Sequence, residues 1–117
     1  MKFKVGIDIV ENKRLKKKLK NERFLNWLLS SNEQKKFQQF KSVKKKLSFI
    51  CGRWAAKEAI FKALNCQNLL FKNFDIYYLD NAPKLQILKA KNQNYDLELS
   101  ISHEKKYSVA VVIVFLK

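Results

Sequence analysis

Residues 43–64 read VKKKLSFICGRWAAKEAIFKAL, a stretch without proline that is rich in Ala, Leu and Lys. That composition predicts one long helix with Gly52 inside it, since these residues lose little conformational freedom in a helix. Upstream, Ser30 or Ser31 followed by Glu33 has the spacing of a capping box and predicts a second helix ending near Phe40. Phe24, Trp27 and Leu28 recur at helical spacing before it. Residues 3 to 9 alternate, with Phe3, Val5, Ile7 and Ile9 on one face and Lys4, Gly6 and Asp8 on the other. Such a pattern predicts a half-buried strand whose apolar face meets the core, leaving Asp8 pointing away from it.

Downstream of the long helix, NFDIYYL, KLQIL, YDLELSIS and YSVAVVIVFL read as strands. Turn signals separate them at Asp80-Asn81-Ala82-Pro83, at Asn92 to Asn94 and at His103 to Lys106. The expected class is α+β: a strand, then helices, then a mostly antiparallel sheet. With 117 residues and no linker or repeat, one domain is expected over 1–117, and a chain of this size buries roughly two-thirds of its unfolded surface.

The net charge is +15, from 25 Lys and Arg against 10 Asp and Glu, and it favours a polyanionic partner met fast and in a salt-dependent way. Only Arg14, Arg23 and Arg53 are arginines, so the placement of single charges says more than their sum. Cys51 and Cys66 form no CxxC, which argues against a structural zinc or a disulfide framework. Charges at positions 2, 4, 8 and 11 interrupt any secretion signal, and the longest apolar run, Val109 to Leu116, is too short to cross a bilayer as a helix. A cytoplasmic location without membrane association is the expectation.

On a helical wheel Glu58 and Lys62 lie within about 40° of each other, on a stripe shared with Cys51, Trp54, Ala55 and Phe61. A carboxylate among apolar neighbours needs an ammonium, a donor or a metal to compensate it. An ordinary i,i+4 surface pair worth about 0.2–0.5 kcal/mol fits the spacing equally well. Asp8 alone reads as a solvated strand residue. Gly6, two positions earlier on the same face, admits a ligand or another backbone. If the long helix packs across this strand, Asp8 and Glu58 would both face one Mg²⁺, an ion that takes one or two carboxylates and completes its shell with water and phosphates. His103, the one histidine, closes Ser100-Ile101-Ser102-His103 at a hairpin, where Ser102 and His103 would offer donors to a phosphate or nucleotide.

Three segments in order resemble the holo-acyl-carrier-protein synthase family. They are Gly6-Ile7-Asp8-Ile9-Val10-Glu11, then Gly52-Arg53-Trp54-Ala55-Ala56-Lys57-Glu58-Ala59-Ile60-Phe61-Lys62-Ala63-Leu64, then Ser100-Ile101-Ser102-His103 with Tyr107-Ser108-Val109-Ala110. The resemblance implies a phosphopantetheinyl transferase fold, assembled as a homotrimer with coenzyme A between neighbouring subunits. It implies magnesium ligands at Asp8 and Glu58, catalytic roles for Glu58 and Lys62, and coenzyme contacts at Arg53, Lys62, Ser102 and His103. The implied reaction is Mg²⁺-dependent transfer of phosphopantetheine from coenzyme A to a serine of an acidic acyl carrier protein, releasing 3′,5′-ADP. Asn65-Cys66-Gln67-Asn68 stands where a glycine-containing loop is usual, Asn81-Ala82-Pro83 where Gly-Lys/Arg-Pro is usual, and Glu104 where threonine is common. Contacts to adenine and ribose are therefore left unassigned.

The basic run from Lys13 to Lys20 offers a dock for an acidic carrier helix, with Arg14, Lys17, Lys18 and Arg23 for charge and Leu15 and Leu19 for apolar contact; a solvated basic helix is the equal alternative. Two rival functions remain at this point. A nucleic-acid module would use the charge but leaves Asp8 and Glu58 without a role, and no RRM, KH or helix-turn-helix pattern is present. A non-catalytic coenzyme A binder would bind the cofactor and release no 3′,5′-ADP.

Overall fold

The computed structural model describes residues 2–65, 68–88 and 95–117; Cys66, Gln67 and the turn expected at Asn92 to Asn94 lie outside the described residues. Strand β1 (Lys2–Glu11) leads into a 3-10 helix (Asn12–Lys20), then α1 (Glu22–Leu28), α2 (Ser31–Gln39) and α3 (Val43–Leu64). After a short 3-10 turn come β2 (Phe74–Leu79), β3 (Ala82–Ile87), β4 (Tyr95–His103) and β5 (Tyr107–Leu116). β1, β5 and β4 form an antiparallel sheet in that order, and β2 and β3 form a separate hairpin. The turn of that hairpin is Asp80-Asn81 alone, both with positive φ, as a two-residue loop requires. Ala82 and Pro83 already belong to β3, a shift of two residues from the expected turn.

The helices start where the chain supplies acceptors. Ser42 Oγ accepts from Lys45 N at 3.1 Å at the head of α3, and left-handed Asn65 ends it. At α2 the expected box is complete: Ser30 Oγ accepts from Glu33 N at 3.1 Å and Glu33 Oε1 accepts from Ser30 N at 2.9 Å.

α3 crosses one face of the three-stranded sheet, and the core lies between them. Ile50, Ala55, Ala56, Ala59 and Ile60 of the helix are fully buried, as are Ala110, Val112 and Val114 of β5. Burying an Ile in this way contributes about 1.5–3 kcal/mol. Small residues set the spacing. A Cβ on Gly6 would lie 1.9 Å from the Ala59 carbonyl oxygen and 3.1 Å from Ala63 Cβ, so β1 and α3 touch through backbone.

That contact reverses the expected facing of β1. The face carrying Gly6, Asp8 and Val10 lies under α3, while Phe3, Val5, Ile7 and Ile9 are 61, 54, 59 and 63 % exposed. Their register partners on β5 are Phe115, Ile113, Val111 and Val109, so this outer face of the sheet is apolar on both strands. Alternation identifies which residues share a face, but not which face α3 covers; Gly6, the one position that tolerates helix backbone, decides that.

Candidate active site

Asp8 reaches the site from the middle of β1 and Lys62 from the last turn of α3. Lys62 Nζ donates to Asp8 Oδ1 at 2.9 Å and to the Ile7 carbonyl at 3.1 Å. The Asp8 side chain is 15 % exposed and that of Lys62 55 %. Glu58, one turn before Lys62, lines a cavity of about 590 Å³ together with Asp8, Arg14, Leu15, Lys18, Phe24, Trp27 and Trp54. Burial, and then the charge of Asp8, push the Glu58 carboxyl above its ordinary range, while Lys62 pulls it down. Two carboxylates from segments fifty residues apart thus converge, with an ammonium beside them.

Asp8 and Glu58 offer hard oxygen donors at the wall of one cavity, and the repulsion between them is what a divalent cation would relieve. Among the described residues no third His, Cys, Asp or Glu joins them. The donor set therefore fits Mg²⁺, which completes its shell from phosphates and water.

The other expected residues are placed apart from this group. Arg53 is buried, with its guanidinium 4.0 Å from the centre of the Phe49 ring. Its Nη2 donates to the Ile76 carbonyl at 3.1 Å, and its Nε lies 3.7 Å from Glu33 Oε2. It lines a different cavity of about 500 Å³ with Lys36, Asp75, Tyr77 and Tyr78. Ser102 and His103 lie on opposite faces of β4: Ser102 pairs with Val109 on the outer face, His103 with Ser108 on the helix side. A Cβ on Gly52 would lie 2.7 Å from His103 Cε1, so Gly52 makes room for the ring. Burial, and then the Arg53 cation, lower the His103 pKa from its ordinary value.

Of the docking residues, Arg14, Lys17, Lys18 and Arg23 are exposed, and Arg14 and Lys18 stand on the rim of the Asp8–Glu58 cavity. Leu15 is buried and packs in the core, with Leu19 against it. This corrects the expectation of an apolar contact surface on that segment: its exposed side offers charge.

Sequence reasoning missed Lys57. It is fully buried, donates to the Leu28 carbonyl at 2.7 Å and forms an ion pair with Glu33. Glu33 Oε2 also accepts from Ile76 N at 3.0 Å, and Ser30 Oγ donates to Asp75 at 2.6 Å. One buried acid thereby ties α2, α3 and β2 together. The capping box was the signal available for Glu33; nothing in the AAKEA run distinguishes Lys57 from a solvated lysine. Cys51 is buried too, its thiol pushed up to about 12 by desolvation, and is no nucleophile at neutral pH.

Residues 4–112 match the family model of the 4′-phosphopantetheinyl transferase superfamily. The chain belongs to that superfamily. Within it, the holo-[acyl-carrier-protein] synthase of Mycoplasma capricolum is 45 % identical over 109 residues, covering 93 % of this chain and 91 % of that one. Among solved structures, the holo-(acyl-carrier-protein) synthase of Bacillus anthracis in complex with CoA (3′,5′-ADP) superposes with a TM-score of 0.83 at 30 % identity, covering 97 % of this chain and 96 % of that one. The Helicobacter pylori enzyme in complex with coenzyme A does so with a TM-score of 0.79 at 35 % identity, covering 94 % and 98 %. This phosphopantetheinyl transferase is of the holo-acyl-carrier-protein synthase kind, and its α+β fold is the one expected. None of its helices, among the described residues, is long and apolar enough to cross a membrane.

Proposed function

We propose that the chain transfers 4′-phosphopantetheine from coenzyme A to a serine hydroxyl of an acidic acyl carrier protein, with release of 3′,5′-ADP, and that the transfer depends on magnesium. The observation that carries this reading is the convergence of Asp8, Glu58 and Lys62 on one side of α3. Its support is the family match and the coenzyme A complexes of the related enzymes.

Asp8 and Glu58 would hold the ion, which neutralises charge on the diphosphate when bound. Lys62 places its ammonium where negative charge grows on the leaving nucleotide. By the family resemblance, Glu58 is the carboxylate that takes the proton of the carrier serine. Positioning and electrostatics carry phosphoryl-group transfer, so no covalent enzyme intermediate is needed. Arg14, Lys17, Lys18 and Arg23 receive the acidic carrier beside the cavity, steering it by charge.

The same reading makes the protein a cytoplasmic homotrimer of one-domain subunits with coenzyme A held between neighbours. The uncovered apolar face built from Phe3, Val5, Ile7, Ile9 and their β5 partners supports self-association, since exposed apolar surface of this extent marks an interface. A shared site also accounts for Arg53, Ser102 and His103 standing apart from Asp8 and Glu58 in one chain: they serve the coenzyme bound to a neighbour.

The test is intact-mass spectrometry of an apo carrier protein incubated with the chain, coenzyme A and Mg²⁺. The expected result is a carrier heavier by one phosphopantetheine and an equal amount of 3′,5′-ADP, both abolished by a chelator. Coenzyme A binding without either product would reject catalysis in favour of a mere binder.

A further inference from the structure

Helix α1 has seven residues, about two turns, and a helix this short does not hold its shape in water by itself. Its head is capped by Asn21, whose Oδ1 accepts from Phe24 N at 3.0 Å. Its tail is held from outside. The chain turns extended at Leu29, so no further turn of helix brings a donor to the Leu28 carbonyl. Lys57 Nζ donates to that carbonyl at 2.7 Å, and among the described residues the carbonyl has no other donor.

A buried ammonium is an unfavourable way to fill space. Lys57 is fully buried, and burial lowers its pKa while Glu33 raises it. A well-packed apolar side chain in place of a buried ion pair is often as stable or more so. What the lysine adds is direction, since it ties the end of α1 to one point on α3. Lys57 and Glu58 are neighbours about 100° apart around that helix; Glu58 lines the cavity and Lys57 turns inward. The same turn of α3 thereby sets both Glu58 and part of the wall around it, because α1 supplies Phe24 and Trp27 to the cavity and the exposed Arg23 next to Phe24. Trp54 of α3 meets both rings, with centroids 5.9 Å and 5.8 Å away. Trp27 is 46 % exposed, which leaves it open to a partner.

We propose that Lys57 is a positioning residue for the carrier side of the site: by holding the Leu28 carbonyl it fixes α1, and with it Arg23, Phe24 and Trp27, so that its loss weakens recognition of the carrier protein and not of coenzyme A. The carrier's part in this rests on the docking reading under Proposed function; the hold on α1 does not.

The test compares Lys57→Met in a Glu33→Gln background with Glu33→Gln alone. Glu33→Gln keeps Lys57 on Leu28, and whatever it changes at Arg53 is common to both proteins, so the comparison isolates the lysine. Amide hydrogen exchange followed by mass spectrometry should be faster over residues 22–29 in the double variant and unchanged over α3. In steady-state kinetics with coenzyme A and an apo carrier protein, KM for the carrier should rise about three- to tenfold, as for the loss of one hydrogen bond, while KM for coenzyme A stays the same. Trp27→Ala leaves the buried pair intact and should raise KM for the carrier more than KM for coenzyme A. Unchanged exchange over 22–29 overturns the hold on α1. KM values rising equally for both substrates would mean a general loosening, and an unchanged KM for the carrier would mean that α1 does not face it; either overturns the carrier-side role. A native protein that transfers nothing rejects the reading under Proposed function and the carrier-side role with it, while the exchange still decides the hold on α1.

Discussion

Substituting Gly6 by alanine sets a methyl group against the backbone of α3. The new Cβ would lie 1.9 Å from the Ala59 carbonyl oxygen and 2.9 Å from its carbonyl carbon. Ordinary contact is about 3.4 Å or more, so strand and helix must part by about 1.5 Å, and no side-chain rotation can absorb the overlap. Overpacking against backbone costs about 3 kcal/mol, which for a domain of this size lowers Tm by roughly 10 °C. The same displacement carries Lys62 and Glu58 away from Asp8 and stretches the 2.9 Å Asp8–Lys62 contact beyond hydrogen-bond reach. A misplacement of about 1 Å at a reacting centre costs on the order of 100-fold in rate. Gly52→Ala is the matched control, because its Cβ meets the side chains of His103 and Ile101, which can yield. Thermal unfolding and initial transfer rates should therefore show Gly6→Ala losing both stability and kcat, with Gly52→Ala keeping most of its Tm and losing affinity for coenzyme A. If Gly6→Ala melts within a degree or two of the native protein at full kcat, the close approach of β1 and α3 is not what assembles the site.

Breaking the buried Lys57–Glu33 pair by Lys57→Met should cost about 3 kcal/mol, because buried Glu33 loses its nearest counter-charge and keeps only Arg53, whose Nε lies 3.7 Å away; denaturant unfolding should find Lys57→Met with Glu33→Gln less destabilised than the two single changes summed. Glu58, observed by carboxyl-carbon NMR in metal-free protein, should titrate above 4.5, the ordinary value, with Asp8→Asn moving it down and Lys62→Ala moving it up. Since folding raises this pKa, its contribution to stability is full below the unfolded value and is lost as pH rises through the folded one. A titration below 4.5 would contradict the assigned causes. Charge reversal at Arg14 and Lys17 should raise KM for the carrier and spare KM for coenzyme A; equal effects on both would count against docking there. If the chain assembles as the proposed trimer through this face, Ile7→Lys with Val111→Lys should give monomers by native mass spectrometry where the native protein gives trimers, and transfer should fall with it if the site is shared; a native protein that is already monomeric would reject the proposed assembly.

Much of the fold was legible because its signals are local. The absence of proline and the Ala-Leu-Lys composition of the stretch from about 43 to 64 mark α3, and Ser30 with Glu33 mark the head of α2. The facing of β1 was not, because the period of two sorts Phe3, Val5, Ile7 and Ile9 from Gly6 and Asp8 without saying which side another surface covers. An apolar face reserved for a partner looks, in one sequence, like a face turned to the core. Asp8, Glu58 and Lys62 were legible as a set through the resemblance; in the structure Asp8 and Glu58 line one cavity and Lys62 donates to Asp8. Lys57 was invisible, since its partner Glu33 lies 24 residues away in the chain. Polar residues in the interior declare themselves only when their partners are known.

The central claim is that Asp8 of β1 and Glu58 of α3 grip one divalent ion against a diphosphate. A crystal of the protein grown with coenzyme A and Mn²⁺, measured near the manganese absorption edge, locates that ion directly. The account predicts one anomalous peak per site, bonded to a carboxylate oxygen of Asp8, a carboxylate oxygen of Glu58 and the coenzyme's diphosphate. A manganese ion held by other side chains, or coenzyme A bound with its diphosphate away from both carboxylates, would contradict it.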